Sequence, residues 1–202
     1  MRAKLAILAL SLGLGVLPAL AQVPPGRVAG TIAAFDGASL TVKQADGASV
    51  TVALPEGIKI GALAERSLAD IKAGDFVGSA AVEGPDGKLH AQEVHIFPEA
   101  MRGTGEGHRP MAQPKQTMTN ATVGAIAAVT GTPKGSVLQL TYAGGSQTII
   151  VDPGTRIVAL IPGDRGLLKP GAAVVVYLTK TDDGSLKARA VQAEKDGVKP
   201  LM

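Results

Sequence analysis

The chain has 202 residues, with 20 Lys and Arg against 17 Asp and Glu, no cysteine, and 46% hydrophobic but only 2% aromatic residues. The absence of cysteine from the sequence excludes disulfides, thiol catalysis and thiolate metal ligands. A formal net charge of only +3 and so few aromatic rings argue against a nucleic-acid partner, because single-strand binding needs stacking rings and a basic groove.

The first 21 residues have the pattern of a bacterial-type signal peptide. Arg2 and Lys4 precede an apolar run over residues 5–17, and Ala19-Leu20-Ala21 fits a small-x-small cleavage site. We therefore expect a periplasmic or secreted protein, with no membrane span left after cleavage. Removal of residues 1–21 takes away two basic residues and leaves 18 basic against 17 acidic ones, a net charge of +1.

The chain after the signal begins with three alternating apolar runs, over residues 28–32, 40–42 and 50–54. Asp36-Gly37 and Asp46-Gly47 separate these runs, and Asp-Gly between alternating runs is a strong hairpin signal. The sequence predicts three consecutive antiparallel strands.

A short helical turn and two further strands are predicted next. Ser67 is a capping residue and Gly74 a terminating one, so residues 67–74 fit one helical turn, and strands follow over residues 76–82 and 88–96. In the last strand, the apolar residues change parity between residues 91 and 94. A one-residue bulge there would return both apolar pairs to the core and leave the histidines at 90 and 95 outside.

The same pattern recurs 97 residues later. Ile71-Lys72-Ala73-Gly74 corresponds to Leu168-Lys169-Pro170-Gly171, and Asp86-Gly87-Lys88-Leu89 corresponds to Asp183-Gly184-Ser185-Leu186. The sequence therefore predicts an internal duplication and an all-β fold of two tandem five-stranded OB-like small barrels, each with a short helical turn between strands 3 and 4. The predicted barrels span residues 27–98 and 119–196, joined by a Gly/Pro/His/Met linker over residues 99–118.

The signature Leu68-x-x-Ile71-Lys72-x-Gly74-Asp75-x-Val77, followed by Asp86-Gly87-x-Leu89-x-Ala91-x-x-Val94, resembles a family of uncharacterised bacterial secreted small β-barrel domain proteins. The resemblance covers both repeats. It implies a barrel fold and a periplasmic or extracellular location, but no established activity.

The linker region carries the candidate functional residues. The leading hypothesis is a non-enzymatic exported binding or interaction module whose partner is an envelope protein or a small ligand. The predicted contact residues combine both charges and an imidazole: Glu99, Arg102, Glu106, His108 and Arg109.

An alternative is a periplasmic transition-metal protein, because imidazole and thioether together suit copper, particularly Cu(I). The candidate ligands are His95, Met101, His108 and Met111. A hydrolase is a weaker alternative, since Glu106 close to His108 is a base–orienter pair in sequence only and no nucleophile motif accompanies it. We therefore expect no enzyme.

Overall fold

The computed structural model describes residues 26–111, 113–128, 135–181 and 186–200. The predicted signal peptide, residues 1–21, lies outside the described residues, as does the Asp183-Gly184 turn of the second repeat.

The described chain is built from strands, which confirms the all-β prediction. Thirteen strands follow one another: β1 Arg27–Phe35, β2 Ser39–Lys43, β3 Ser49–Ala53, β4 Lys59–Arg66, β5 Phe76–Glu83, β6 Leu89–Ile96, β7 Gly107–Pro110, β8 Gln116–Ala128, β9 Ser136–Tyr142, β10 Gly145–Val151, β11 Arg156–Pro162, β12 Ala173–Lys180 and β13 Leu186–Ala193. The helical elements in this part of the chain are three-residue 3-10 turns at Leu68–Asp70, Glu99–Met101 and Arg165–Leu167. None of them approaches the length and apolarity that a membrane-crossing helix needs.

Five strands close into a barrel, in the order β10, β9, β8, β5, β6. The seam is a short parallel pairing in which Ile149 of β10 lies beside Leu89 of β6. The interior is aliphatic, with Val77, Val94 and Leu140 fully buried in one cluster. The core is therefore made of Val, Leu, Ile and Ala, as the low aromatic content requires.

A second group of strands, in the order β3, β2, β1, β12, β13, surrounds the other aliphatic core. Its outer members meet where Ala53 of β3 lies beside Lys187 of β13. Strands β4 and β11 pair with each other and connect the two groups, because β4 also pairs with β13 and β11 also pairs with β6.

The pairing differs from the predicted arrangement of one five-stranded barrel per repeat. Each half of the chain forms six strands, because the segments that became β4 and β11 were not predicted as strands. Each core also draws on both halves: β5 pairs with β8, and β1 pairs with β12. Local patterns indicate where strands lie, whereas partners this distant in sequence are chosen by burial of the apolar faces.

The predicted bulge in the last strand of the first half is confirmed. Ala80 lies opposite Glu93 whereas Ala81 lies opposite Ala91, so Gln92 is the extra residue. Leu89, Ala91, Val94 and Ile96 then all pack in or against the same core. A bulge bends the strand that carries it, and closure of so small a barrel requires such bending.

Candidate functional site

The segment predicted as a Gly/Pro/His/Met linker, residues 99–118, is folded against the barrel. It contains the 3-10 turn Glu99–Met101, strand β7 and the start of β8. Strand β7 pairs antiparallel with β8, from Gly107 beside Asn120 to Pro110 beside Thr117. The candidate residues of this segment therefore lie on a strand and a turn in fixed register with the barrel.

Glu99 and Arg102 fix the first part of the segment. Nε and one terminal nitrogen of Arg102 donate to the two carboxylate oxygens of Glu99 at 2.6 and 2.7 Å. The same guanidinium donates to the backbone oxygen of Gly74 at 3.0 Å, on the loop before β5. The hydrogen bond from Arg102 lowers the pKa of Glu99. Both predicted contact residues thus hold the segment in place.

Glu106 and Arg109 also bond to backbone groups of the protein. Glu106 Oε1 accepts a hydrogen bond from the backbone N–H of Ala143 at 3.0 Å, in the turn between β9 and β10. Arg109 donates to the backbone oxygen of Gly105 at 2.8 Å. Its side chain is otherwise exposed, so Arg109 is the predicted contact residue that leaves most of its donors available to a partner.

His95 and His108, two of the predicted metal ligands, lie on opposite faces of one sheet. His95 is opposite Gly78, which is opposite Asn120, whereas His108 is opposite the next residue, Thr119. Side chains alternate between faces with a period of two, so this one-residue difference places the two imidazoles on different sides. His108 Nδ1 and Thr119 Oγ1 are 2.8 Å apart, in keeping with this register.

The two methionines in the predicted metal set are not equivalent. Met101 is half-buried in its 3-10 turn, whereas Met111 is 38% exposed after β7. Among the described residues, no group of three or more His, Cys, Asp or Glu is arranged to hold a metal ion. Because His95 and His108 lie on opposite faces of the sheet, the structure does not bring the four predicted ligands together. A copper site remains a prediction from the sequence.

A buried charged group lies on the outer face of the barrel, on the same strand as His95. Glu93 is only 3% exposed. One carboxylate oxygen contacts His95 Nε2, and the other accepts from Arg156 Nη1 at 2.6 Å. Arg156 also donates to the backbone oxygen of Lys199 at 2.7 Å, which holds the C-terminal residues against β11.

Asn120 connects this face to the segment above it. Its Nδ2 donates to the backbone oxygen of Thr104 at 3.0 Å, while its buried Oδ1 has no hydrogen-bond partner among the described residues. Gly78 makes room for this arrangement, since a Cβ there would lie 2.8 Å from Asn120 Oδ1 and 2.9 Å from the Phe97 ring. Phe97 also packs against Phe76, with ring centroids 5.4 Å apart. The segment is therefore anchored by both polar and aromatic contacts.

Sequence reasoning did not identify Glu93, Arg156 or Asn120. These three residues are recognisable as polar side chains that are buried or half-buried. They are covered by the bulged strand β6, by the parallel β6–β11 pairing and by the segment over β8. This burial can be recognised only when the strand partners are known. The contact with Glu93 orients the His95 imidazole.

The outward edge of the segment is the edge of β7 that faces away from β8. The backbone N–H of Met111 donates to the oxygen of Gln116, so alternate residues of β7 turn their backbone groups toward β8. His108 and Pro110 then turn theirs to the free edge, where Pro110 has no N–H to offer. The edge is poorly suited to strand addition, and recognition there would depend on the side chains of Arg109 and Met111.

Comparison with known protein families, with curated proteins and with solved structures finds no match.

Proposed function

We propose that the protein is a non-enzymatic exported binding or interaction protein whose contact surface is the folded linker segment. The observation that carries this proposal is that the segment is held against the barrel by its own charged side chains. Glu99, Arg102 and Glu106 all bond to neighbouring groups of the protein. A preorganised surface loses little conformational freedom on binding, so less of the interaction energy is spent on ordering.

Arg109 and Met111 define the chemistry of the partner. They lie two residues apart, Arg109 on β7 and Met111 just after it, one cationic and one with an exposed thioether side chain. Methionine adapts its shape to an apolar partner surface, and arginine forms paired hydrogen bonds with carboxylates. We therefore expect an acidic protein surface with an apolar centre.

The repeated sequence pattern and the predicted export also support the proposal. The two halves carry the same sequence pattern, and the resemblance places the chain in the bacterial periplasm or outside the cell. In that setting, the partner we propose is an envelope protein. The resemblance, the signal-peptide pattern and the fixed 97-residue offset support this setting.

The test is site-specific photocrosslinking in the envelope of bacteria that export the protein. A photoreactive amino acid replaces Met111 in one variant and Ile126 in a matched control, because both side chains are 38% exposed. We expect a protein adduct at position 111 that is absent at position 126 and is lost when Arg109→Glu is added. No adduct at position 111, or equal adducts at both positions, would refute the proposal.

A further inference from the structure

Strands β4 and β11 meet in a pattern that is characteristic of two-fold symmetry. Leu63 lies directly opposite Leu160. These residues are 97 positions apart, the same offset that relates Gly74 to Gly171 and Leu89 to Leu186. Equivalent positions of the two halves therefore face each other at the centre of this pairing.

The neighbouring pairs are reciprocal about that centre. Ala62 lies opposite Ile161, and Ala64 lies opposite Ala159. At an offset of 97, Ala159 is the counterpart of Ala62 and Ile161 the counterpart of Ala64. Ala62 therefore pairs with the counterpart of Ala64, and Ala64 pairs with the counterpart of Ala62. Such reciprocal pairing defines an isologous contact between two copies.

The parallel pairings on either side follow the same rule. Glu93 of β6 lies beside Arg156 of β11, and Ala190 of β13 lies beside Lys59 of β4. Ala190 is the counterpart of Glu93, and Arg156 is the counterpart of Lys59, in both cases at the offset of 97 positions. The bulges correspond as well, since the register shift after Ala80 matches the shift after Tyr177.

The pairings of strands β1 and β8 are also equivalent between the two halves, but their counterparts are 91 positions apart instead of 97. Thr31 of β1 lies opposite Ala173, and Thr122 of β8 lies opposite Phe76, which is the counterpart of Ala173. The register shifts that follow Ile32 and Val123 agree with this alignment. Pairings between the halves therefore have equivalents throughout the described strands.

We propose that the two halves of the chain are binding partners of each other, assembled as a two-fold homodimer would be, and that the linker is not needed to hold them together. Both cores require both halves: Leu40 and Val174 share one core, and Val94 and Leu140 share the other. The kind of partner that fits one half is therefore a second copy of the same six-stranded unit. The linker is left free of this duty, which makes its surface available for another contact.

The test cuts the linker of the full chain. A specific protease site is inserted between Gly103 and Thr104, where Gly103 has φ 79° in a turn, and the folded protein is cleaved and run on a sizing column. We expect both fragments to elute together at the position of the uncut protein, and to separate only in denaturant. Two separate folded fragments would overturn the proposal.

A second measurement needs no insertion. In a Leu140→Ala variant of the intact chain, amide hydrogen exchange is compared between β9, which carries the substitution, and β6, which belongs to the other half. We expect protection in both strands to fall together, by at least about thirtyfold for a buried leucine truncation. Unchanged protection in β6 would contradict the exchange of strands between halves. Neither result bears on the photocrosslinking test, so this inference and the proposed function can fail separately.

Discussion

Replacement of Arg156 by Met should destabilise the protein through the carboxylate it leaves behind. Glu93 is 3% exposed and pairs with Arg156 at 2.6 Å. Breaking a buried ion pair by removing one partner costs about 3–5 kcal/mol, because the remaining charge is uncompensated. The Arg156 side chain is 31% exposed and His95 still contacts Glu93, so we expect a smaller loss of about 2–3 kcal/mol.

The pseudo-equivalent position provides a matched control. Lys59 occupies the place of Arg156 in the other half, but it lies beside Ala190, which carries no charge. Lys59→Met should therefore change the free energy of unfolding by less than about 0.5 kcal/mol. The Glu93→Gln, Arg156→Met double variant should be more stable than Arg156→Met alone, because it removes the uncompensated charge.

Urea denaturation gives the free energies, and a melt should show the Arg156→Met midpoint lowered by about 4–12 °C for a domain of this size. Equal stability of the Arg156→Met and Lys59→Met variants would refute the reasoning. A double variant that is no more stable than Arg156→Met alone would refute it as well.

Two further predictions concern a close backbone contact and a titrating side chain. Gly30→Ala should lower the free energy of unfolding, measured by urea denaturation, by more than about 2 kcal/mol, since its Cβ would lie 2.1 Å from the backbone oxygen of Lys43. Gly61→Ala is the control and should not cause such a loss, because the nearest contact of its Cβ would be at 3.5 Å. Equal losses of stability in the two variants would contradict the prediction. The hydrogen bond with Asp152, 2.7 Å away, raises the pKa of His90. This bond therefore stabilises the fold fully below about pH 6.5 and is lost as pH rises through the folded pKa. The stability difference between wild type and His90→Gln should shrink by up to about 1 kcal/mol between roughly pH 5.5 and 8.5, and a difference that grows over this range would contradict it.

Local features of the fold were accessible from the sequence. The Asp-Gly turns that join β1 to β2 and β2 to β3 were predicted, and in each the aspartate accepts a backbone hydrogen bond two residues on, as Asp36 does from Ala38 and Asp46 from Ala48. The bulge in β6 was predicted from the change of apolar parity. These features depend on neighbouring residues alone, so one sequence suffices to find them.

The missed strands have a physical explanation. In β4, the consecutive residues Ala62 and Leu63 are both buried, because this strand lies between the two cores. β11 repeats this with Ile157 and Val158. Strands buried on both faces do not alternate, and their short apolar runs resemble other buried segments.

The candidate site was only partly accessible. The sequence drew attention to residues 95–111, but it could not show that most of the charged side chains there hold the segment to the barrel. Whether His95 and His108 converge depends on the register of β6, β5, β8 and β7, which no local pattern specifies. Glu93 and Arg156 come from different halves, so their pairing depends on the exchange of strands.

Crosslinking across the central strand pair tests the exchange of strands most directly. Ala64 and Ala159 are directly opposite each other and half-buried, so cysteines there perturb the core little. The chain contains no other cysteine. The Ala64→Cys, Ala159→Cys variant, carrying the protease site after Gly103, is treated with a short bismaleimide, cut and run on a denaturing gel.

We predict a single band of the uncut size for this variant. Two separate fragments are predicted for the Ala64→Cys, Ala143→Cys control, because Ala143 lies in the turn between β9 and β10, whereas β4 pairs with β11 and β13. Two fragments from the Ala64→Cys, Ala159→Cys variant as well would contradict the exchange of strands between the halves.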